Sequence, residues 1–409
     1  MEGRSACLKH TEKILAVIAV VTLAVAYAAP VFLAEEVDYL PQLQAAIPEA
    51  DELVRCSSDP LIYRALAYRA GEKVPVGYVG VGSAVGYEGT VVTAVACDLE
   101  GNILAVTVLE HTEWATWFNR VEEAGFIEGF AGRKVTDALT VGEDIDAVTS
   151  ATFTSRGIAD GVREAAHAIA RSQLDLPVKA AGDGLSLTRE ALAVLGVWAV
   201  AVLGAATGRA RLRWVTMAAS LVVIGFWLAA PLSLSTVGSI LLGRVPPLDT
   251  GHLVWYVMVV GILGTILVFG RNIYCYWVCP FGAIQELLAA AGGGGLAPGR
   301  RVGRVLRLLR PVLLWGALLI AFVTRSPSTG SYEPFATLFT FTGTTVRWTL
   351  LIFVLVLGIL SQRFWCRHLC ATGYAFDLAA SWRRKAARFL RERFPREAHQ
   401  DGHRASSTS

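Results

Sequence analysis

The sequence predicts an α-helical polytopic membrane protein carrying an α+β domain outside the membrane. Three observations predict it. Of the 409 residues, 54% are hydrophobic and only 17% are charged, with a mean hydropathy of +0.49; a soluble domain is about a quarter charged. Apolar runs long enough to approach or exceed a bilayer's thickness recur along the chain. One long polar stretch, 35–183, interrupts them and alternates in the period of β-strands.

The elements follow in order. The first apolar run, Ile14–Leu33, comes after Arg4, Lys9 and Lys13 and reads as an uncleaved anchor. The small residues Ala26, Ala28, Ala29 and Ala34 leave a cleaved secretory signal as the alternative. Five more runs follow: Ala191–Gly208, Trp214–Ala230, Leu253–Gly270, Val312–Val323 with its flanks, and Trp348–Leu360, making about six transmembrane helices. Arginine and lysine collect on alternate connections, at Arg209, Arg211 and Arg213, at Arg271 with Arg300–Arg310, and from Arg383 to Arg396. The positive-inside rule makes those connections and both termini cytoplasmic. Four regions result: 1–34, a cytoplasmic N-terminus and anchor; 35–183, an extracytoplasmic domain; 184–382, a five-helix membrane domain; and 383–409, a basic cytoplasmic tail. The stretch Arg300–Arg310 is expected to lie along the inner membrane surface against anionic lipid, and Gly292–Gly295 to form a flexible joint. Every basic cluster borders an apolar segment, so no nucleic acid is expected as a partner.

Two cysteine pairs of equal spacing, Cys275/Cys279 and Cys366/Cys370, lie just past two of the runs. On a helix, residues four apart share a face, so each pair would aim two sulfurs one way. An offset of 91 residues carries one pair onto the other, and also carries Tyr274 onto Trp365, Gly282 onto Gly373, Glu286 onto Asp377 and Leu287 onto Leu378. Such a parallel repeat implies a pseudo-two-fold axis along the membrane normal, which brings the pairs face to face. Four thiolates suit a [4Fe–4S] cluster, a [2Fe–2S] cluster or a single metal ion, with His368 as a substitute ligand. The competing reading is four apolar-interface cysteines. Cys56 and Cys97 either pair in the oxidising compartment or leave Cys97 buried and free in a strand. His111, His167 and His252 read as structural.

In the polar region, Val74–Val81, Val91–Cys97 and Ile103–Leu109 alternate as strands, with turns at Gly89, Asp98, Gly101 and Asn102. A segment from Asp144 to Gly157 then leads into an amphipathic helix through about Arg171. Physically it is a strand and polar turn in which Asp146, Thr149, Ser150, Thr152 and Ser155 cap the helix start. The same helix end can hold a phosphate.

Thr149-Ser150-Ala151-Thr152-Phe153-Thr154 resembles the S-G-A-T-x-T motif of domains that carry FMN covalently. The resemblance implies Thr154 as the acceptor of a phosphoester made by a flavin transferase, with Asp146, Thr149, Ser150, Ala151, Thr152 and Ser155 around the cofactor. Gly86-Tyr87-Glu88-Gly89, Leu109-Glu110-His111-Thr112-Glu113 and Pro48-Glu49-Ala50-Asp51 are similar to further landmarks of the family. The order of anchor, FMN domain, five helices and two C-x3-C segments resembles membrane flavoproteins of the NosR/NirI type. Those serve nitrous oxide and nitrite reduction, and shorter relatives accompany reductive dehalogenases. Larger members continue into a ferredoxin module of C-x2-C-x2-C-x3-C-P runs, whereas Arg383–Ser409 holds no cysteine. The resemblance implies a protein of the bacterial inner membrane. It would pass electrons between an iron–sulfur or metal centre at Cys275, Cys279, Cys366 and Cys370, or a quinone, and FMN outside. An extracytoplasmic reductase or electron carrier is the expected partner. A redox-sensing regulator and a maturation factor for an exported reductase are the alternatives. With one centre on each side of a hydrocarbon core roughly 30 Å thick, a quinone, a movable flavin domain or a partner subunit is expected to fill the gap. The aromatic loops Ser331–Phe335 and Pro231–Leu242 are placed as a floor beneath the flavin, or as interfacial anchors.

Overall fold

The computed structural model describes residues 2–33, 38–86, 89–113, 115–148, 151–179, 186–248, 250–295, 299–341 and 343–393. After α1 (Glu2–Leu33) and the short α2 (Leu40–Ala46), five strands form an antiparallel meander: β1 (Glu52–Ser58), β2 (Leu61–Arg69), β3 (Glu72–Val85), β4 (Thr90–Cys97) and β5 (Ile103–His111). Both faces of the sheet are covered, which is why the strands bury residues of both parities. Val91, Val95 and Cys97 turn towards α4 (Thr152–Ser172), whose Ile158, Val162, Ala165 and Ile169 recur at helical spacing. Ala94 and Ala96 turn the other way, onto Leu43 and Ile47 at α2. Helix α3 (Ala115–Glu123) closes one edge with Trp117, Phe118 and Val121 in the α4 core.

Two of these strands, β1 and β2, escape the sequence pattern. The pairing of β1 with β2 leaves Cys56 as an extra residue, so alternation breaks inside β1, while β2 sends Ile62 to the α4 core and Ala65 to the α2 core and so buries both parities. Among the described residues Cys56 is exposed and Cys97 buried, and both are free thiols, so the disulfide alternative is not realised. Burial pushes the Cys97 thiol up to about 12. His167 meets the Asp137 carbonyl at 2.8 Å, and burial lowers its pKa.

The helical region comprises α5 (Arg189–Thr207), α6 (Ala210–Ser220), α7 (Leu234–Leu241), α8 (Leu253–Phe269), α9 (Pro280–Gly292), α10 (Arg300–Val323), α11 (Phe335–Thr340), α12 (Thr345–Leu360), α13 (Phe364–His368) and α14 (Ala371–Arg393). Thr188 caps α5 by accepting the Ala191 N–H, and Gly208 in the left-handed region ends it. A π-helical turn, Leu221–Trp227, extends α6, and another, Tyr274–Val278, precedes α9. By length and composition, Arg189–Thr207 and Ala210–Trp227 are long and apolar enough to cross a membrane; Ile14–Pro30, Leu253–Phe269, Leu308–Val323 and Thr345–Leu360 are shorter apolar helical segments. Helix α9 packs on α12, α10 on α14, and α1 on α10, where Trp315 Nε1 donates to Thr22 Oγ1 at 3.0 Å.

Arg300–Arg310 runs through Pro311 into one continuous helix, because the proline removes one backbone donor without ending the helix. At Gly292–Gly295 helix α9 ends, with Gly293 left-handed at φ 84°.

The sheet domain sits on the helical region through Arg156, whose Nη1 donates to the Gly251 carbonyl at 2.7 Å, and through Ala336 of α11, which joins the α4 core. The first turns of α4 are held close to the β3–β4 turn: a Cβ on Gly157 would lie 2.6 Å from the Gly86 Cα and 3.0 Å from its nitrogen. Gly157→Ala should therefore destabilise the protein by about 1–3 kcal/mol through overpacking against backbone, read as a lower thermal unfolding midpoint.

Candidate functional site

Thr154 lies in the first turn of α4 and is buried. Its Oγ1 donates to Glu113 Oε2 at 2.5 Å, and Glu113, just past β5, is itself 6% exposed. The other carboxylate oxygen accepts the Gly89 N–H at 3.4 Å. Thr154 also lines a cavity of about 660 Å³ between the two parts of the molecule. Ala147, Ala151, Thr152, Phe153, Arg156 and Trp117 wall it on one side; Phe226, Trp227, Phe339 and Phe341 wall it on the other.

The expected helix cap is not formed as drawn. Ala151 occupies the cap position and makes no side-chain cap bond. Ser155 instead donates to the Ala151 carbonyl at 3.0 Å and accepts the Val148 N–H at 3.3 Å, so it ties the preceding loop to the helix without lining the cavity. Asp146 is exposed and also off the cavity wall. Ala151 and Thr152 do line it; Thr149 and Ser150, with Tyr87 and Glu88, lie outside the described residues. No strand forms over Asp144–Val148, only an isolated bridge between Val141 and Ile145. Sequence reasoning assigned no role to Glu113, Arg156 or the aromatic pairs. Phe226, Trp227 and Phe339 sit in apolar surroundings where hydropathy does not separate a cavity wall from a buried or lipid-facing side.

All four cysteines, Cys275, Cys279, Cys366 and Cys370, line a second cavity of about 320 Å³. The shared-face argument is corrected: each pair straddles a break. Cys275 lies in the π-helical turn and Cys279 is extended (φ −63°, ψ 116°) before Pro280 opens α9. A residue before proline is driven out of the helical region. Cys366 lies in α13 and Cys370 falls between α13 and α14. Both breaks are followed by a helix start, and Gly373 N–H donates to Cys370 Sγ at 3.1 Å. A Cβ on Gly373 would come 3.3 Å from Cys370 Sγ and 3.5 Å from Cys275 Sγ, so glycine keeps the space between sulfurs of the two repeats open. His368 does not line the cavity. Among the described residues no three of His, Cys, Asp or Glu converge as a lone ion requires; the thiols ring a larger space.

The repeat extends to the charges around this cavity. Glu286 receives Arg213 through two bonds at 2.8 and 2.6 Å, and Arg363 from the other repeat at 3.0 and 2.7 Å. Its counterpart Asp377 receives Arg310 at 2.9 Å, and Asn272 from the other repeat at 3.0 Å. The 91-residue offset also relates Asn272 to Arg363, so each crossing bond has its mirror. Arg363 further donates to the Cys275 carbonyl at 3.1 Å and Arg310 to the Cys370 carbonyl at 3.3 Å. With Arg367, four arginines and two carboxylates line the space, a cationic surplus suited to thiolates.

The two cavities adjoin. Helix α11 presents Phe335 to the cysteine cavity and Phe339 to the Thr154 cavity, four residues or about 6 Å of helix rise apart. The Phe339 ring and the Pro280 Cβ lie 2.7 and 3.3 Å from the place a Cβ on Gly225 would take, so the residue after Cys279 nearly meets the wall of the Thr154 cavity. Phe335 packs on Phe281 at 4.9 Å and Phe339 on Phe226 at 5.4 Å between ring centres. The gap expected between the two sites is thus closed by the chain itself. The Ser331–Phe335 loop lies on the cysteine side, with the Tyr332 hydroxyl donating to the Leu369 carbonyl, and the cavity floor near Thr154 comes from the residues just beyond each expected loop.

The Arg363 and Glu286 side chains are each 9% exposed. Arg363→Met should cost about 3 kcal/mol by leaving a buried carboxylate short of a partner. The double variant with Glu286→Gln should recover part of that loss in thermal unfolding.

Two domain families match the sequence of these regions. The FMN-binding domain matches residues 86–167, which include Glu113 and Thr154, and the 4Fe-4S binding domain matches 251–301 and 345–389, one cysteine pair in each piece. The chain is 28% identical to Protein NirI of Paracoccus denitrificans over 189 residues, 42% of this chain and 27% of that protein. It is 26% identical to Regulatory protein NosR of Stutzerimonas stutzeri over 136 residues, 31% of this chain and 19% of that protein. With Regulatory protein NosR of Pseudomonas aeruginosa the identity is 28% over 128 residues, covering 29% and 18%. The matched segments therefore span about a quarter or less of those relatives' lengths. The chain thus matches an FMN-binding domain and a 4Fe-4S binding domain, and over part of its length it is similar to proteins of the NosR/NirI type.

Proposed function

We propose that the protein is a multi-pass protein of the bacterial inner membrane that passes electrons between a cluster held by Cys275, Cys279, Cys366 and Cys370 and FMN joined covalently to Thr154. The observation that carries this reading is the shared wall: α11 lines both cavities. Apolar helical segments at six places along the chain support the membrane assignment, and the basic connections beside those segments support cytoplasmic termini. The FMN domain then faces outwards, where an extracytoplasmic reductase or electron carrier takes or supplies the electrons, and a flavin transferase acts in maturation.

The residues fit both groups. The Thr154 cavity has the size of a small-molecule site. Trp117, Phe226, Trp227, Phe339 and Phe341 would hold a planar ring, and Arg156 would offset phosphate charge. The second cavity has four thiols, a glycine where a side chain would intrude, and a cationic surplus. FMN supplies one- and two-electron exchange, and a cluster one-electron exchange. The chain's own residues hold the groups, exclude water from the wall between them, and neutralise charge around the thiolates.

Thr154→Ala should abolish the fluorescent flavin band of the denatured protein while leaving iron content unchanged. Cys275→Ser with Cys366→Ser should remove iron and leave the flavin band intact. In inside-out vesicles a membrane-impermeant reductant should reduce the flavin of the wild type and not of that double variant. Equal flavin reduction in both would refute the transfer. The word "regulatory" in the names of two relatives favours a second reading, a redox sensor. It predicts flavin reduction without turnover of any extracytoplasmic acceptor.

A further inference from the structure

We propose that Glu113 is the base that takes the Thr154 hydroxyl proton when the flavin phosphate is attached. This rests on the reading that Thr154 carries the flavin. A threonine hydroxyl is a weak nucleophile and needs an adjacent base to attack phosphorus. Of the groups around it, Glu113 Oε2 stands at 2.5 Å and accepts its proton. Because the O–H points at Glu113, the lone pairs of Oγ1 are left free for the cavity that Thr154 lines.

The contact is built rather than incidental. The neighbouring Ser155 gives its hydroxyl to the carbonyl four residues back, the usual local bond for a hydroxyl in a helix. Thr154 reaches a carboxylate 41 residues away in sequence. Room for that carboxylate exists because position 86 is glycine: a Cβ there would stand 2.5 Å from Glu113 Oε1. The Gly89 N–H at 3.4 Å orients the same oxygen. Glu113, Gly86 and Gly157 thus meet at one point, and a fold that needed only packing there would fill it with an apolar side chain.

Forming a phosphoester from an alcohol requires an activated phosphate, so the co-reactant is a flavin dinucleotide, a phosphoanhydride. Oγ1 forms a bond to the flavin-side phosphorus, the anhydride P–O bond breaks, and the nucleoside monophosphate leaves with the bridging oxygen. No electrons change hands. The proton moves to Glu113, where it then faces the new phosphoester; a neutral carboxyl beside that anion avoids the repulsion two anions would suffer.

The test uses the full-length protein in detergent, the flavin transferase, magnesium and flavin adenine dinucleotide. Labelling is followed by in-gel fluorescence and intact mass. Glu113→Gln keeps the acceptor oxygen for the Thr154 hydrogen bond but takes no proton. It should melt at the wild-type temperature and label 10²-fold or more slowly, the usual worth of a general base. Its residual rate should climb with pH as hydroxide replaces the base. Labelling within threefold of wild type overturns the proposal while leaving the covalent flavin standing. A wild-type chain that takes no label, like Thr154→Ala, overturns both. Should Glu113→Gln melt early, Glu113→Asp decides: slowed labelling at an unchanged midpoint supports the base, and the wild-type rate refutes it.

Discussion

The arrangement of both sites depends on a six-residue helix that has no stability of its own. A helix as short as α11 is far below the length at which helices persist in water, so tertiary contacts must hold it. Phe335 is buried among Phe281 and Trp365, Ala336 reaches the α4 core, Thr337 is fully buried, and Phe339 sits against Gly225 and Pro280. Every side of α11 therefore belongs to a different part of the molecule. Its two ends fix the separation of the cavities, and that separation is shorter than any crossing of a bilayer.

The charges around the cysteines show what the duplication kept and what it changed. Glu286 and Asp377 are equivalent, and each is approached from the opposite repeat. Yet Glu286 meets two guanidiniums, while Asp377 meets one guanidinium and the neutral amide of Asn272. The positive field is therefore stronger at the Cys275 carbonyl, where Arg363 also donates, than a symmetric pair would give. On the proposed reading, net charge and hydrogen bonds of this kind set the potential of a cluster, and the asymmetry gives its four thiolates unequal surroundings.

Much of this was legible in the sequence for a physical reason: spacing survives translation into space when the residues lie in one rigid unit. The 91-residue offset located the cysteine pairs, the Glu286/Asp377 equivalence and the glycines at 282 and 373 before any geometry was known. Thr154 was legible only through the resemblance of Thr149–Thr154 to the S-G-A-T-x-T motif, while the cap-type residues around it marked a helix start. The shared helical face was not, because Pro280 forces Cys279 out of the turn that holds Cys275 and α13 ends at His368 before Cys370 is reached, whereas i,i+4 reasoning assumes an unbroken helix. Glu113 was invisible as a partner because a contact over 41 residues depends on the β4–β5 register and the two glycines that admit it. The strand β1 was lost to its extra residue at Cys56, and β2 to the covering of both its faces.

The position of the Thr154 cavity also bears on why a tether suits it. Neither half of its wall is complete alone: Thr152, Phe153 and Arg156 come with α4, while Phe226, Trp227 and Phe339 come with the helices. The seam between them is bridged by a polar bond from Arg156 to the Gly251 carbonyl, and its walls come from two different parts of the fold. Interfaces of that kind between domains open more readily than cores do. A flavin bound only by contact would lose half of its contacts at each opening. On the proposed reading, with the site outside the cytoplasm, a phosphoester to Thr154 would hold its local concentration near the millimolar range of short tethers regardless of the state of the seam. On the proposed reading retention is thereby separated from closure, and the aromatic walls are left to set ring position alone.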